Sequence, residues 1–407
     1  MNNKRLITLL IILLFSLAGA SHRAVPAAQK GANPAPIVIP FELVTKHILI
    51  RVKINDTPLW FILDTGDKVA IVDMDRAKSL GLNLQGQINV GGAGAGTLKG
   101  ATVRDASVTV IGVEGAPQPV VMAIPLDALE PRFGHDIDGI IGADFIKQFV
   151  VEVDYPASVL RLHDKDRFSY SGSGEIVPIN FIHGGYPIVD AAITVAGRPP
   201  AKGKFVIDIG SGASLALHRP FVEQEKLPLP SQKTIRSMGS GGVGGQVTGR
   251  VGRIDELRIG KFQIDSPVTL FSEDKLGAFA SSELQGNIGA QLISKFTLIL
   301  DYGRNRIILE PNASFKDVIG PALSGVKIFA AGSDYKTFRI DELLEDSPAT
   351  EAGLQKDDII LSVDGRPAAE LTLSTMLETL NKPAPHKLSV RRGGQTLQIT
   401  LTARRLI

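Results

Sequence analysis

One pattern occurs twice in this chain and restricts its fold more than any other feature. An apolar run enters Asp-x-Gly at Phe61-Ile62-Leu63-Asp64-Thr65-Gly66, and again at Phe205-Val206-Ile207-Asp208-Ile209-Gly210. Each copy is followed by a short apolar segment closed by glycine. These are Gly139-Ile140-Ile141-Gly142-Ala143 in the first half and Asn287-Ile288-Gly289-Ala290 in the second. A third landmark repeats as well, Val153-Asp154-Tyr155 and Leu300-Asp301-Tyr302. The copies are offset by 144, 147 and 147 residues, the signature of a duplicated unit. Taken singly, an Asp before a glycine reads as a turn residue. Taken in register inside a repeat, the two carboxylates read as a pair brought together across a two-fold axis, able to share a proton.

At 407 residues the chain has room for two or three domains, and its 42 glycines favour an all-β architecture rich in turns. The seven histidines are scattered without zinc-ligand spacing, and there is no cysteine. Disulfides, thiol catalysis and cysteine metal sites are thereby removed, and no metal or cofactor is expected. Lys4-Arg5, the apolar run Leu6–Leu17 and the small residues Ala18-Gly19-Ala20 read as a signal peptide over residues 1–20, too short for a comfortable membrane span. The expectation is therefore export, to a periplasm or to the medium. Without those two signal cations, basic and acidic residues are equal in number, which gives no electrostatic case for nucleic acid or an anionic membrane as partner.

Residues 21–36, rich in Ala and Pro, read as a flexible leader. From Ile37 short branched and aromatic runs predict strands at Ile37–Ile39, His47–Val52 and Leu59–Leu63, with a turn at Asn55-Asp56. Asp73–Leu80 fits a short helix ended by Gly81. Glycine-rich stretches follow at Gly91–Gly96 and, in the second half, at Gly239–Gly245. A phosphate-binding loop would need a helix after the glycines, whereas Thr97–Val110 and Gln246–Ile259 read as strand, so mobile hairpin tips are predicted. The second unit begins near Glu175 and is broken by Pro311. The expected domains are a first lobe at 37–172, a second at 173–313 and a separate domain at 314–407.

The duplicated unit, about residues 37–312, resembles the pepsin and retropepsin clan of aspartic peptidases, and most closely bacterial secreted proteins of retropepsin type. Ser211–Leu217 and Arg219-Pro220-Phe221-Val222 carry further likeness to that bacterial group. The resemblance implies two acid-protease lobes and a catalytic water activated by Asp64 and Asp208. It implies loop support from Thr65, Gly66, Ile209 and Gly210, and flaps at Gly92, Gly94, Gly241 and Gly242 closing over an extended protein or peptide substrate. Two lobes in one chain complete the site, so a monomer is expected.

Two positions depart from that family. Thr or Ser follows the Asp there and its hydroxyl reaches the opposite loop; Ile209 has no hydroxyl, and a buried amide left without a partner costs about 1–3 kcal/mol. Asp67 stands where a small residue is usual. A third carboxylate would raise the pKa of the pair or read a basic substrate side chain, unless Lys68 neutralises it.

Ser347-Pro348-Ala349, Ala352-Gly353-Leu354, Asp358-Ile359-Ile360 and Val363-Asp364-Gly365 make residues 314–407 resemble a PDZ domain of the kind attached to bacterial envelope proteases. Leu373–Leu380 reads as its helix. The resemblance implies a C-terminal peptide ligand added to a sheet edge, with a carboxylate loop just before Phe338-Arg339-Ile340 and the ligand against Thr337, Phe338 and Ile340; a docking module that only positions the lobes is the equal alternative. Two other readings stand beside the enzyme: a non-catalytic peptide-binding envelope protein, favoured by Ile209, and a structural envelope protein whose working part is the PDZ-like module.

Overall fold

The computed structural model describes residues 35–407 apart from 95, 238–239, 318–319 and 321–323. The expected signal peptide and nearly all of the leader lie outside the described residues. The architecture is all-β with short helices.

A six-stranded sheet joins the two halves and repeats the duplication in space. Its strands run in the order 37–40, 159–164, 149–154, 296–301, 306–311 and 175–178, three from each half. Where the halves meet, Val151, Glu152 and Val153 pair antiparallel with Leu300, Ile299 and Leu298. The third sequence landmark finds its reason at the ends of these central strands. Asp154 holds Arg161 at 2.9 Å, and the fully buried Asp301 holds Arg306 at 2.7 Å. Each carboxylate ties its strand to the next one, and a buried charge persists only when paired in this way.

Each half also has a sheet of its own with a shared local plan. Thr57–Leu63 runs parallel to Gly139–Ile141, and Ala201–Asp208 runs parallel to Gly286–Gly289. Ala70–Asp73 and Leu215–Leu217 then lie antiparallel on the far side of those short strands. The apolar runs before the two Asp-x-Gly sequences are interior strands, which is why they are continuously apolar. One core spans both halves, through Phe61, Leu63, Ile141, Phe205, Ile207, Leu292 and Leu300. Burial of each such side chain stabilises by about 1.5–3 kcal/mol.

The predicted helix forms at Met74–Ser79, where Asp73 Oδ1 accepts the N–H groups of Asp75 and Arg76, both at 2.9 Å. That bonding satisfies the free donors of the first turn. Both glycine-rich stretches are hairpin tips: Asn83–Gly91 pairs with Thr97–Arg104, and Ser240–Gly242 with Gly245–Val247.

The C-terminal domain has its own core, including Ile328, Phe338, Ile340, Leu373, Met376 and Leu388. Its strands run in the order 326–331, 337–343, 359–363, 385–392 and 395–402, and Leu373–Leu380 is the expected helix. This order corrects the sequence reading of the ligand edge. Thr337–Leu343 pairs on one side with Val326–Ala331 and on the other with Ile359–Val363, so it has no edge to offer. Phe338 and Ile340 are fully buried in the core, and Thr337 opens an interior strand. The outer strand next to it is Val326–Ala331, and Gln395–Thr402 ends the sheet on the other side.

Candidate active site

Asp64 and Asp208 end equivalent strands, one in each half, and their loops meet. Asp64 N–H donates to Ile141 O at 3.0 Å, which fastens the first loop to the short parallel strand behind it. A Cβ placed on Gly66 would lie 3.0 Å from Asp64 Oδ1 and 3.1 Å from Asp208 Oδ1, so both carboxylates converge on that glycine. A Cβ on Gly210 would fall 2.0 Å from Asp64 Cγ, so only glycine admits the carboxylate there. Gly66 N–H donates to Asp64 Oδ1 at 2.6 Å.

Thr65 bridges the loops. Its hydroxyl donates to Ile207 O at 2.6 Å and accepts from Ile209 N–H at 3.0 Å. Ile209 is fully buried and carries no hydroxyl to return the contact, so half of a reciprocal lock is present.

The two carboxylates have different surroundings. Burial is the largest effect on Asp64 and pushes its pKa well up; the charges of Asp208 and Asp67 push it further. Burial raises Asp208 as well, but Asn287 and the Ser211 and Gly210 N–H groups oppose the rise. Asn287 Nδ2–H donates to Asp208 Oδ2 at 2.8 Å, and Asn287 Oδ1 lies 2.9 Å from Nε2 of the buried His218. From sequence Asn287 reads only as part of the short apolar segment closed by Gly289. The signal for its role is the break in symmetry, since the corresponding position in the first half is Ile140.

Asp67 is pushed up to about 7 by burial and then by the charge of Asp208. Lys68 does not neutralise it: its amine lies beside Gly184, 3.4 Å from where a Cβ on that residue would stand. Tyr186 was missed from sequence. Its phenol is pushed up to about 12, first by burial and then by the charges of Asp67, Asp64 and Asp208. His47 opens the equivalent strand of the other half and lies against the second loop, its Cε1 2.7 Å from a Cβ position on Gly212.

The glycine-rich tips meet one another. Gly94 N–H donates to Val243 O at 3.2 Å, and Gly96 N–H to Gly244 O at 2.8 Å. A Cβ on Gly92 would fall 2.4 Å from Val243 O. Gly241 and Gly242 form the strand that leads to this contact, paired with Gln246 and Gly245. Each half thus supplies one tip, and the two are joined.

Comparison with known proteins divides the chain in the same way. Residues 50–145 match the family described as aspartyl protease, and residues 339–391 the family described as PDZ domain. Over 67 residues, 16% of this chain, it is 34% identical to serine protease HTRA1 of Xenopus laevis; the match takes in 14% of that protein's length. A crystal structure of the HtrA3 PDZ domain bound to a phage-derived ligand (FGRWV) aligns with 20% of this chain and 82% of its own, at 25% identity and a TM-score of 0.18. The chain carries a retropepsin-like aspartyl protease domain at 50–145 and a PDZ domain at 339–391.

Proposed function

We propose that the duplicated halves form an aspartic endopeptidase that hydrolyses peptide bonds with a water activated by Asp64 and Asp208. The observation that carries this reading is the convergence of both carboxylates on Gly66 under a Thr65 bridge. Two buried carboxylates this close do not both ionise, so they hold one proton between them. The asymmetry of the site supports the following division of parts. Asp208, held by Asn287 and two N–H groups, is the ionised member and takes a proton from the water. Asp64, pushed up by burial and then by its charged neighbours, is the protonated member and donates to the scissile carbonyl as the water attacks. Collapse of the tetrahedral species passes the water's proton to the leaving amine and restores the shared proton, with no covalent intermediate. The joined tips must part to admit a peptide and close again to exclude bulk water.

The PDZ domain supplies a second peptide site, for a ligand that adds a strand to a sheet edge. Residues 1–20 fit delivery to a periplasm or to the medium, and a complete pair in one chain fits a monomer. Non-catalytic peptide binding is the second reading, favoured by the missing hydroxyl at Ile209.

The test is cleavage of a diverse peptide mixture by the purified protein from acid to neutral pH. A bell-shaped profile is expected. Its acid limb reports protonation of Asp208. Its alkaline limb reports loss of the proton on Asp64, and Asp67 adds a further negative charge as pH passes about 7. Asn287→Leu removes a donor that favours the ionised form of Asp208, so the acid limb moves to higher pH and kcat/KM on that side falls several-fold. An unmoved acid limb would take the base role away from Asp208. Absence of cleavage by folded protein across the range would favour the binding role.

A further inference from the structure

The PDZ groove has an occupant, and it comes from the first protease lobe. Among the described residues Val326–Ala331 pairs only with Thr337–Leu343, which leaves its other edge as the place where a peptide strand would add. Leu373–Leu380 packs beside that strand and forms the opposite wall. Leu373 and Leu377, four residues apart, share one helix face. Into the gap comes the short helix Glu130–Phe133 with Gly134. A Cβ on Gly134 would lie 2.9 Å from Leu373 Cβ and 3.2 Å from Ala330 Cβ, one from each wall. Arg132 places its guanidinium 5.8 Å from the centre of the Phe329 ring on the edge strand. Tyr335 Oη–H donates to Asp136 Oδ1 at 3.0 Å, and Thr45 N–H donates to Ser374 Oγ at 3.0 Å.

We infer that residues 130–136 are an internal occupant of the PDZ groove, which a peptide strand must displace in order to bind. The character of the contact makes displacement feasible. Among the described residues no backbone hydrogen bond joins 130–136 to 326–331. The contact is made by side chains and by the close approach of Gly134. An incoming extended peptide gains the ladder bonds of the edge strand, which the present occupant does not use. The walls at Ala330, Leu373 and Leu377 call for an apolar residue near the peptide's end.

The same contact reaches the protease site. Phe133 stacks on His47 with ring centres 4.5 Å apart, and His47 lies against Gly212 in the loop that carries Asp208. Peptide binding at the PDZ domain and the setting of that loop therefore share one joint. The inference rests on the PDZ domain as a peptide binder and not on the chemistry assigned to the aspartates.

The test uses full-length protein in an Asp208→Asn background, so that probes are not cut. The probes are fluorescent dodecapeptides with free carboxyl ends and apolar last residues, selected on a Gly134→Asp variant. Gly134→Asp forces a side chain between Ala330 and Leu373 and is expected to bind at least tenfold tighter than the chain with Gly134. Tyr335→Phe, which removes the hydroxyl's bonds to Asp136 and Glu130 of the occupant segment, should shift affinity the same way by a smaller factor. The chain has no cysteine, so Gly134→Cys with Ala330→Cys can be cross-linked selectively, at a Cβ separation near the disulfide range. Oxidised, that variant should bind no probe; reduced, it should recover binding. Equal affinity in all these forms, or no binding by any of them, would overturn the inference.

Discussion

Asp64→Asn and Asp208→Asn are each expected to lower kcat/KM at least ~10⁴-fold at every pH from acid to neutral, a loss on the scale of removing a member of a catalytic unit. Each substitution keeps the size of the side chain. An amide accepts no proton from water and cannot share one with its neighbour, so either change removes the acid–base pair as a whole. The losses should therefore not add: the double variant should be no worse than the single ones. Thermal melts separate this result from unfolding, because an amide of the same size lifts the cost of burying an ionisable carboxyl there. Gly210→Ala supplies a second route to the same end. Its Cβ would lie within 2.2 Å of Asp64 Cγ and both carboxylate oxygens, so the carboxylate must leave its place while both aspartates remain in the chain. A loss of at least ~10²-fold is expected, since a displacement of about 1 Å costs on that order. Substantial cleavage by either Asn variant would move the chemistry away from the two carboxylates, toward a nucleophile elsewhere in the molecule.

The duplication was legible in the sequence because physics had left it in three separate places. An interior strand must be apolar, a tight loop must be glycine, and a carboxylate at the end of a central strand keeps its arginine on the next strand. Phe61–Gly66, Gly139–Gly142 and Asp154 are these three signals, and each has its counterpart in the second half. The helices at Met74–Ser79 and Leu373–Leu380 were legible from local pattern, although the sequence reading put Asp73 inside the first helix and the structure makes it the cap. What escaped was set by contacts distant in sequence. Asn287 looked like one more strand residue until Asp208 and His218 were found on either side of it. Tyr186 gave no signal, because a tyrosine opening a strand is ordinary until the fold buries it within the field of the three carboxylates. The ligand edge of the PDZ domain was misplaced onto Thr337–Ile340 because apolar alternation marks a strand and does not say whether its neighbours are one or two.

Thr65→Val carries the second large effect, on stability and on the geometry of the pair together. Valine keeps the β-branched shape and removes one oxygen. That oxygen serves two buried main-chain groups of the other lobe, Ile207 C=O and Ile209 N–H. Leaving both without a partner costs about 2–4 kcal/mol. Where both loops carry a hydroxyl the loss of one leaves the other, but Ile209 gives this chain no such reserve. Expected results are a lower unfolding midpoint for the protease lobes in a denaturant melt and a kcat lower by about 10–100-fold, as the two carboxylates lose their shared reference. Ile209→Thr should act in the opposite direction. By the symmetry of the loops its hydroxyl would face Leu63 C=O and Thr65 N–H, and one added buried bond stabilises by about 1 kcal/mol. The double variant Thr65→Val with Ile209→Thr then moves the lock from one loop to the other. It should recover most of the stability lost in Thr65→Val, whereas a purely local role for Thr65 would make the double variant no more stable than the single one. That difference measures how much of the joint between the lobes rests on one hydroxyl.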